Sequence, residues 1–184
     1  FTSYATIIPY DGNAAYYSIL NNNSARGYGN VFNNTAPTNK VFSIQDAGSL
    51  NTNGSGKNYV AYVFHSVAGF SKIGLYKGNG NADGEFVYTG FKPSFLLVKC
   101  LSPSGRNWIL WDNKRSVFNP CDNVLYPDLT QAETTSGNDM DFLSNGFKPR
   151  GTNSNYNESS RNYTYMAFAE HPFLGDGTNP VTAR

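Results

Sequence analysis

A chain of 184 residues with a formal net charge of +1 and only 15% charged side chains offers no basic face for a nucleic-acid partner bound through counterion release. Aromatics make up a further 15%, nearly all Tyr and Phe; Gly, Asn, Ser and Thr are abundant, while Glu, Leu and Ala are sparse. This is the composition of a turn-rich all-β protein, and it suits an extracellular or virion surface. The longest mostly apolar run, Tyr59 to Phe70, falls short of the roughly 20 residues a membrane helix needs, so no membrane partner is expected. The chain opens on Phe1 rather than Met, as expected of a piece or a processed form of a longer polypeptide.

In chain order, Tyr4 to Ile8 reads as a short strand stopped by Pro9, and Ala14 to Leu20 as a second, broken by Asn21-Asn22-Asn23-Ser24. Gly27 to Lys40 is loop-like, interrupted by Val31-Phe32. Val41-Phe42-Ser43-Ile44 alternates and predicts a strand. A polar loop over 46–58 leads to Tyr59-Val60-Ala61-Tyr62-Val63-Phe64-His65, apolar on both faces and therefore expected to be a central strand. Next, Gly78-Asn79-Gly80-Asn81-Ala82-Asp83-Gly84 is turn chemistry, running into the aromatic strand Phe86-Val87-Tyr88. Ser94 to Cys100 is a buried strand, paired back by Asn107 to Asp112 after the turn Ser102-Pro103-Ser104-Gly105. Val124-Leu125-Tyr126, Met140 to Phe147 with the turn Ser144-Asn145-Gly146, and Tyr163 to Ala169 complete the strands, with a Pro- and Gly-rich tail from His171. No segment carries a helical period.

The order of elements repeats. Asn58-Tyr59-Val60-Ala61-Tyr62-Val63-Phe64 echoes Asn162-Tyr163-Thr164-Tyr165-Met166-Ala167-Phe168, each after a polar loop and, further back, a Phe-containing strand around Phe42 and Phe142. Tyr16 to Ala25 echoes Val124 to Ala132, and Ile7 to Asp11 echoes Ile109 to Asp112. The expected organisation is a single β domain, 1–184, with related halves at about 1–75 and 86–173, a joint at 76–93 and a tail at 174–184. Nothing in the first half matches the apolar strand that opens the second. Phe95, Leu96, Leu97 and Val98 are therefore candidates for strand pairing beyond the chain, the route by which one subunit completes another's sheet.

Chemistry-bearing residues are few. Asn79, Asn81 and Asp83 place oxygens on alternate positions, as half of a calcium loop does, but no acidic residue closes the loop and turn formation is the simpler reading. Cys100 and Cys121 form either a disulfide, worth roughly 3 kcal/mol with suitable geometry, or two core thiols. His65 and His171 lack a nucleophile-elbow partner, and Asp112, Asp122, Glu133, Asp139 and Asp141 single out no carboxylate pair for glycoside hydrolysis. No catalytic residue, metal or cofactor is expected. Exposed Tyr and Trp among Asn and Asp suit a shallow sugar site, and Asn22, Asn33, Asn53, Asn157 and Asn162 stand in glycosylation sequons.

Several stretches together resemble a known but uncharacterised family. They are Tyr59 to Tyr62, Ala68 to Gly74, Gly78-Asn79-Gly80 with Asp83-Gly84, Phe86 to Pro93, Asn107-Trp108, Asp141 to Lys148 and Met166 to Phe173. The family sits at the C-terminal end of tail-fibre-like proteins of marine and environmental phages, and the likeness runs from about Val41 onward. It implies an all-β antiparallel sandwich or flattened barrel, jelly-roll or lectin-like, with no established catalytic residues to carry over. The function it implies is a non-catalytic adhesive module for host-surface attachment. The alternatives are a subunit of a helical fibril built by strand complementation and, third, an enzyme acting on polysaccharide. The expected partners are further copies of the chain, in a trimeric fibre or a helical fibril, and a cell-surface glycan; the expected location is extracellular, in a virion tail or surface filament.

Overall fold

Residues 6–7, 16–38, 40–45, 52–135, 137 and 140–171 are described by the computed structural model. The chain is all-β, as its composition implies: among these residues there is no helix, and every strand pairing is antiparallel.

The largest sheet is built round two long apolar strands, β6 (Pro93–Cys100) and β11 (Asn162–Ala169). Its order is β4-β11-β6-β7-β8, with β4 at Ser71–Lys77, β7 at Ile109–Asp112 and β8 at Val124–Leu125. Pro93 stands at the first position of β6, where a missing N–H interrupts no ladder. Leu96, Val98 and Cys100 of β6, Ile109 and Trp111 of β7, and Tyr163, Tyr165 and Ala167 of β11 alternate onto one face and are buried there. A second layer lies over that face. It is the sheet β5-β10-β9, with β5 at Val87–Tyr88, β9 at Met140–Leu143 and β10 at Gly146–Pro149. Val87, Met140, Phe142 and Phe147 join the first layer in one apolar cluster. Phe147 meets the rings of Tyr76 and Tyr165 edge-on, at 5.6 and 5.1 Å. Two antiparallel layers enclosing one core make a β-sandwich arrangement.

A third sheet, β1-β2-β3, comes from the N-terminal part: Thr6–Ile7, Tyr16–Ile19 and Gly27–Tyr28. It attaches to the turn between β6 and β7. Arg26 N donates to Leu101 O at 2.9 Å, Gly105 N to Asn23 O at 2.9 Å, and Trp108 Nε1 to Ile19 O at 2.8 Å. Leu97 and Lys99 point away from the sandwich interior and are nevertheless buried, as are Ser18, Val31, Phe32 and Trp108.

Several expectations are corrected. Tyr59 to His65, expected as a central strand, forms no strand, and Tyr59, Val60, Tyr62, Val63 and Phe64 are 47%, 80%, 82%, 68% and 51% exposed. Val41 to Ile44 is likewise irregular and largely exposed. An apolar run becomes a strand only where neighbours pair with its N–H and C=O groups, and neither segment has a partner strand among the described residues. Conversely β4, which has no counterpart among the expected strands, is an edge strand of the large sheet. The turn expected at Ser144-Asn145-Gly146 is present: it joins β9 and β10 as a hairpin. The tail at 174–184 lies outside the described residues.

Candidate ligand-binding loop

The loop after β7 is braced almost throughout. Asp112 Oδ1 accepts the backbone N–H groups of Lys114 and Arg115, both at 2.9 Å, and its other oxygen meets Arg115 Nε at 3.1 Å. Ser116 Oγ accepts from Asp122 N at 3.2 Å and Asn123 N at 3.0 Å. Asn119 acts as a strand partner for Phe142, donating to its carbonyl and accepting from its N–H, both at 2.9 Å. Cys121 and Met140 exchange both backbone bonds. At the tip of this loop Val117 and Phe118 are 72% and 83% exposed. Leaving a large ring in water loses the stabilisation of burial, while a rigid loop holds the ring without further ordering cost on contact.

A groove of about 160 Å³ runs beside the tip, lined among others by Lys92, Asn113, Asn119 and Phe142. Its rim carries charge: Lys92 Nζ meets Glu170 Oε2 at 2.8 Å, and Asn113 Nδ2 donates to Glu170 Oε1 at 2.7 Å. The Lys92 ammonium bonded to Glu170 holds that carboxyl below its usual range. Asn113 Oδ1 is buried and accepts no bond within the protein. The exposed Phe118 ring and the Lys92 ammonium are groups of the kind that contact the flat faces and hydroxyls of a sugar.

The other predicted residues have different duties. Asn79 Oδ1 accepts from Asn81 N and Asn81 Oδ1 from Asp83 N, both at 2.9 Å, so the two amides build consecutive turns. Asp83 is held by Lys148 at 2.7 Å and Arg150 at 3.0 Å, which lower its pKa and surround it with positive charge. The half calcium loop is therefore a turn whose oxygens are already engaged. No cluster of three or more His, Cys, Asp or Glu suited to a metal occurs among the described residues. Cys100 and Cys121 are free thiols in the core, not a disulfide. Burial pushes the Cys121 thiol up to about 11, so at neutral pH it is no nucleophile. Phe95, Leu96, Leu97 and Val98 lie in β6 with β11 on one edge and β7 on the other, so their main chain is fully committed inside the chain. Both Trp residues are core and supply no sugar platform. His65 and His171 are exposed. Asp112, Glu133 and Asp141 pair with Arg115, Arg115 and Arg150 respectively, and Asp139 lies outside the described residues.

Two residues had no functional signal in the sequence. Asn157, singled out only as a sequon, is buried: its Oδ1 accepts from Asn79 N at 3.0 Å, and its Nδ2 donates to Asn81 O and Gly151 O, each at 2.8 Å. It clamps the Gly78–Gly84 turn and has no side chain to offer a glycan. Lys99 is fully buried, with Nζ donating to Cys100 O at 3.1 Å and Arg106 O at 2.7 Å across the β6–β7 turn. Burial lowers its pKa, and its bonds staple that turn.

The structure thus defines an all-β sandwich with a braced, aromatic-tipped loop. The chain belongs to the family described as a domain of unknown function, DUF7483, whose match extends over residues 7–172. No curated protein and no solved structure matches it.

Proposed function

We propose that the protein is a non-catalytic adhesive module of an extracellular appendage, the C-terminal part of a phage tail-fibre-like protein, which touches the host surface through the Phe118 loop. The observation that carries this reading is the large ring of Phe118 held out in water by a loop braced through Asp112, Ser116 and Asn119 beside a groove. The turn-rich, weakly charged composition and the sequence resemblance point the same way. On this reading the module works as a homo-oligomer at a fibre tip, with a cell-surface glycan as ligand.

The test is binding of the native protein to a glycan array and to host-cell surfaces, beside Phe118→Ala. Phe118 is exposed, so its removal leaves the urea midpoint unchanged; binding is expected to fall about tenfold or more, the loss of a stacking contact worth about 1.5 kcal/mol. Binding unaffected by Phe118→Ala would refute the role of the loop. Release of shortened polysaccharide would favour an enzyme instead.

A further inference from the structure

The turn that feeds β4 begins a ladder and then abandons it. Val67 and Ser71 exchange both backbone bonds, at 3.0 and 2.9 Å, across a turn in which Phe70 N donates to Val67 O and Gly69 stands at a φ of 70°. On its other side β4 bonds to β11 through its even-numbered residues, an alternation marked at its two ends by Ala169 N to Phe70 O and Gly78 N to Arg161 O. The N–H and C=O groups of Ser71, Ile73, Leu75 and Lys77 therefore point outward, along the edge of the sheet. Val67 meets those of Ser71. A single side chain meets those of Ile73: Ile73 N donates to Ser66 Oγ at 3.0 Å, and the same hydroxyl donates to Ile73 O at 3.3 Å. Leu75 and Lys77 have no strand beside them on that edge among the described residues.

The segment that leads into this turn has strand chemistry and leaves it unused: Val60, Tyr62, Val63 and Phe64 are exposed, and 59–64 makes no backbone–backbone bond among the described residues. Ser71 Oγ donates to His65 O at 2.7 Å, and the Phe64 ring meets Phe168 at 5.7 Å, so the chain is drawn towards the outer face of the large sheet instead of along the edge of β4.

We infer that residues 61–65 are a hinged strap with two positions. In the open position, that of the structure, the hydroxyls of Ser66 and Ser71 and the ring of Phe64 are the catch. In the closed position the ladder begun by Val67 and Ser71 runs on without interruption: His65 lies opposite Ile73, Val63 opposite Leu75 and Ala61 opposite Lys77, and the five-stranded sheet gains an outer strand. Connectivity fixes the occupant of the edge. The strap is joined to β4 by a turn already formed, so its effective concentration there exceeds that of a separate chain. Closing leaves Ile73 satisfied, since main chain replaces the Ser66 hydroxyl. It pairs Leu75 and Lys77 and sets Val63 beside Leu75, which is otherwise 48% exposed. Against this, alternation turns Phe64 away from Phe168. These offsetting terms make a two-state element. Open, the sheet presents an edge; closed, the chain caps its own edge.

This inference is independent of the Phe118 reading. The test is residue-resolved amide exchange by NMR on the whole protein, read at Leu75 and Lys77. Ser66→Ala releases the catch on Ile73 and is expected to close the strap, slowing exchange at both amides about tenfold or more, as a closed state favoured about ten to one does. Val63→Pro, at an exposed position with no backbone bond, keeps the urea midpoint of the native chain. Added to Ser66→Ala it is expected to cancel the slowing, because the ring removes the N–H due to Leu75 O. Exchange at Leu75 and Lys77 that is unchanged or faster in Ser66→Ala, as a merely structural hydroxyl would give, overturns the proposal. Slowing that survives Val63→Pro overturns it too. So does slowing that appears only with a sedimenting dimer, which would make a second copy the occupant of the edge.

Discussion

The strand β11 and the segment 58–64 begin alike, with Asn-Tyr followed by five further residues of which four in β11 and all five in 58–64 are apolar or aromatic, and they differ in what lies beside them. β11 has β4 on one edge and β6 on the other, and its Tyr163 is fully buried. Segment 58–64 has neither, and its Tyr59 is 47% exposed. The same side-chain chemistry is core in one place and solvated in the other, so β character here is conferred by neighbours more than by propensity.

The sharpest way to break this comparison is a matched pair of substitutions. Tyr163→Ala removes a buried ring that stacks on Tyr76 at 5.1 Å and leaves Ser154 O and Glu158 N without their hydroxyl partner; a loss of about 3–5 kcal/mol is expected. Tyr59→Ala is expected to cost under about 1 kcal/mol. Equal shifts in urea midpoint would show that 58–64 is packed after all.

Gly78→Ala probes how β11 is held in place. A Cβ at Gly78 would lie 2.4 Å from the carbonyl oxygen of Glu158, in the loop that leads into β11, and that backbone is pinned by the Asn157 bonds. The expected cost is about 1–3 kcal/mol, with exchange in β11 accelerating before that of β7.

Alkali sharpens the contrast further. Burial raises the phenol pKa values of Tyr76, Tyr163 and Tyr165 above the ordinary 10.0. The folded state keeps protons that the unfolded chain releases, so this contribution is intact below pH 10 and is lost as pH climbs past 10 through the raised folded values. A falling urea midpoint above pH 10, with a shallower slope in Tyr165→Phe, is the expected result; a flat midpoint would contradict it.

The smallest effect belongs to the turn that precedes these elements. Asp83 is 71% exposed, so Asp83→Asn is expected to leave the urea midpoint nearly unchanged, and added calcium to leave the melting temperature of the native protein unmoved. A calcium-dependent rise would restore the metal reading of Asn79, Asn81 and Asp83.

Much of the fold was legible where pattern and neighbours agree. β6 reads directly from its apolar run, β7 from its pairing back after a turn, and β11 from its alternation of large residues. β4 was missed because Lys72, Gly74 and Lys77 dilute its apolar face, and Gly74 is there to admit the Tyr165 ring, whose hydroxyl oxygen would lie 2.9 Å from a Cβ. Tyr59 to His65 was misread for the opposite reason: its composition is right and its sheet is absent. Of the candidate site, nothing in Val117-Phe118 announces exposure, since an apolar pair followed by Asn-Pro reads equally well as a strand end. Only the bonds made by Asp112, Ser116 and Asn119 show that the loop is built to hold it outward.

The two core thiols have a practical consequence. Cys100 at the end of β6 and Cys121, which bridges Met140 of β9, belong to one apolar cluster, and no other cysteine exists in the chain. A thiol reagent applied at neutral pH therefore has nothing to modify at Cys100, which is fully buried, until the sandwich layers part. The rate at which label is taken up becomes a clock for that opening, read without any engineered probe and blind to whatever happens at residues 58–64.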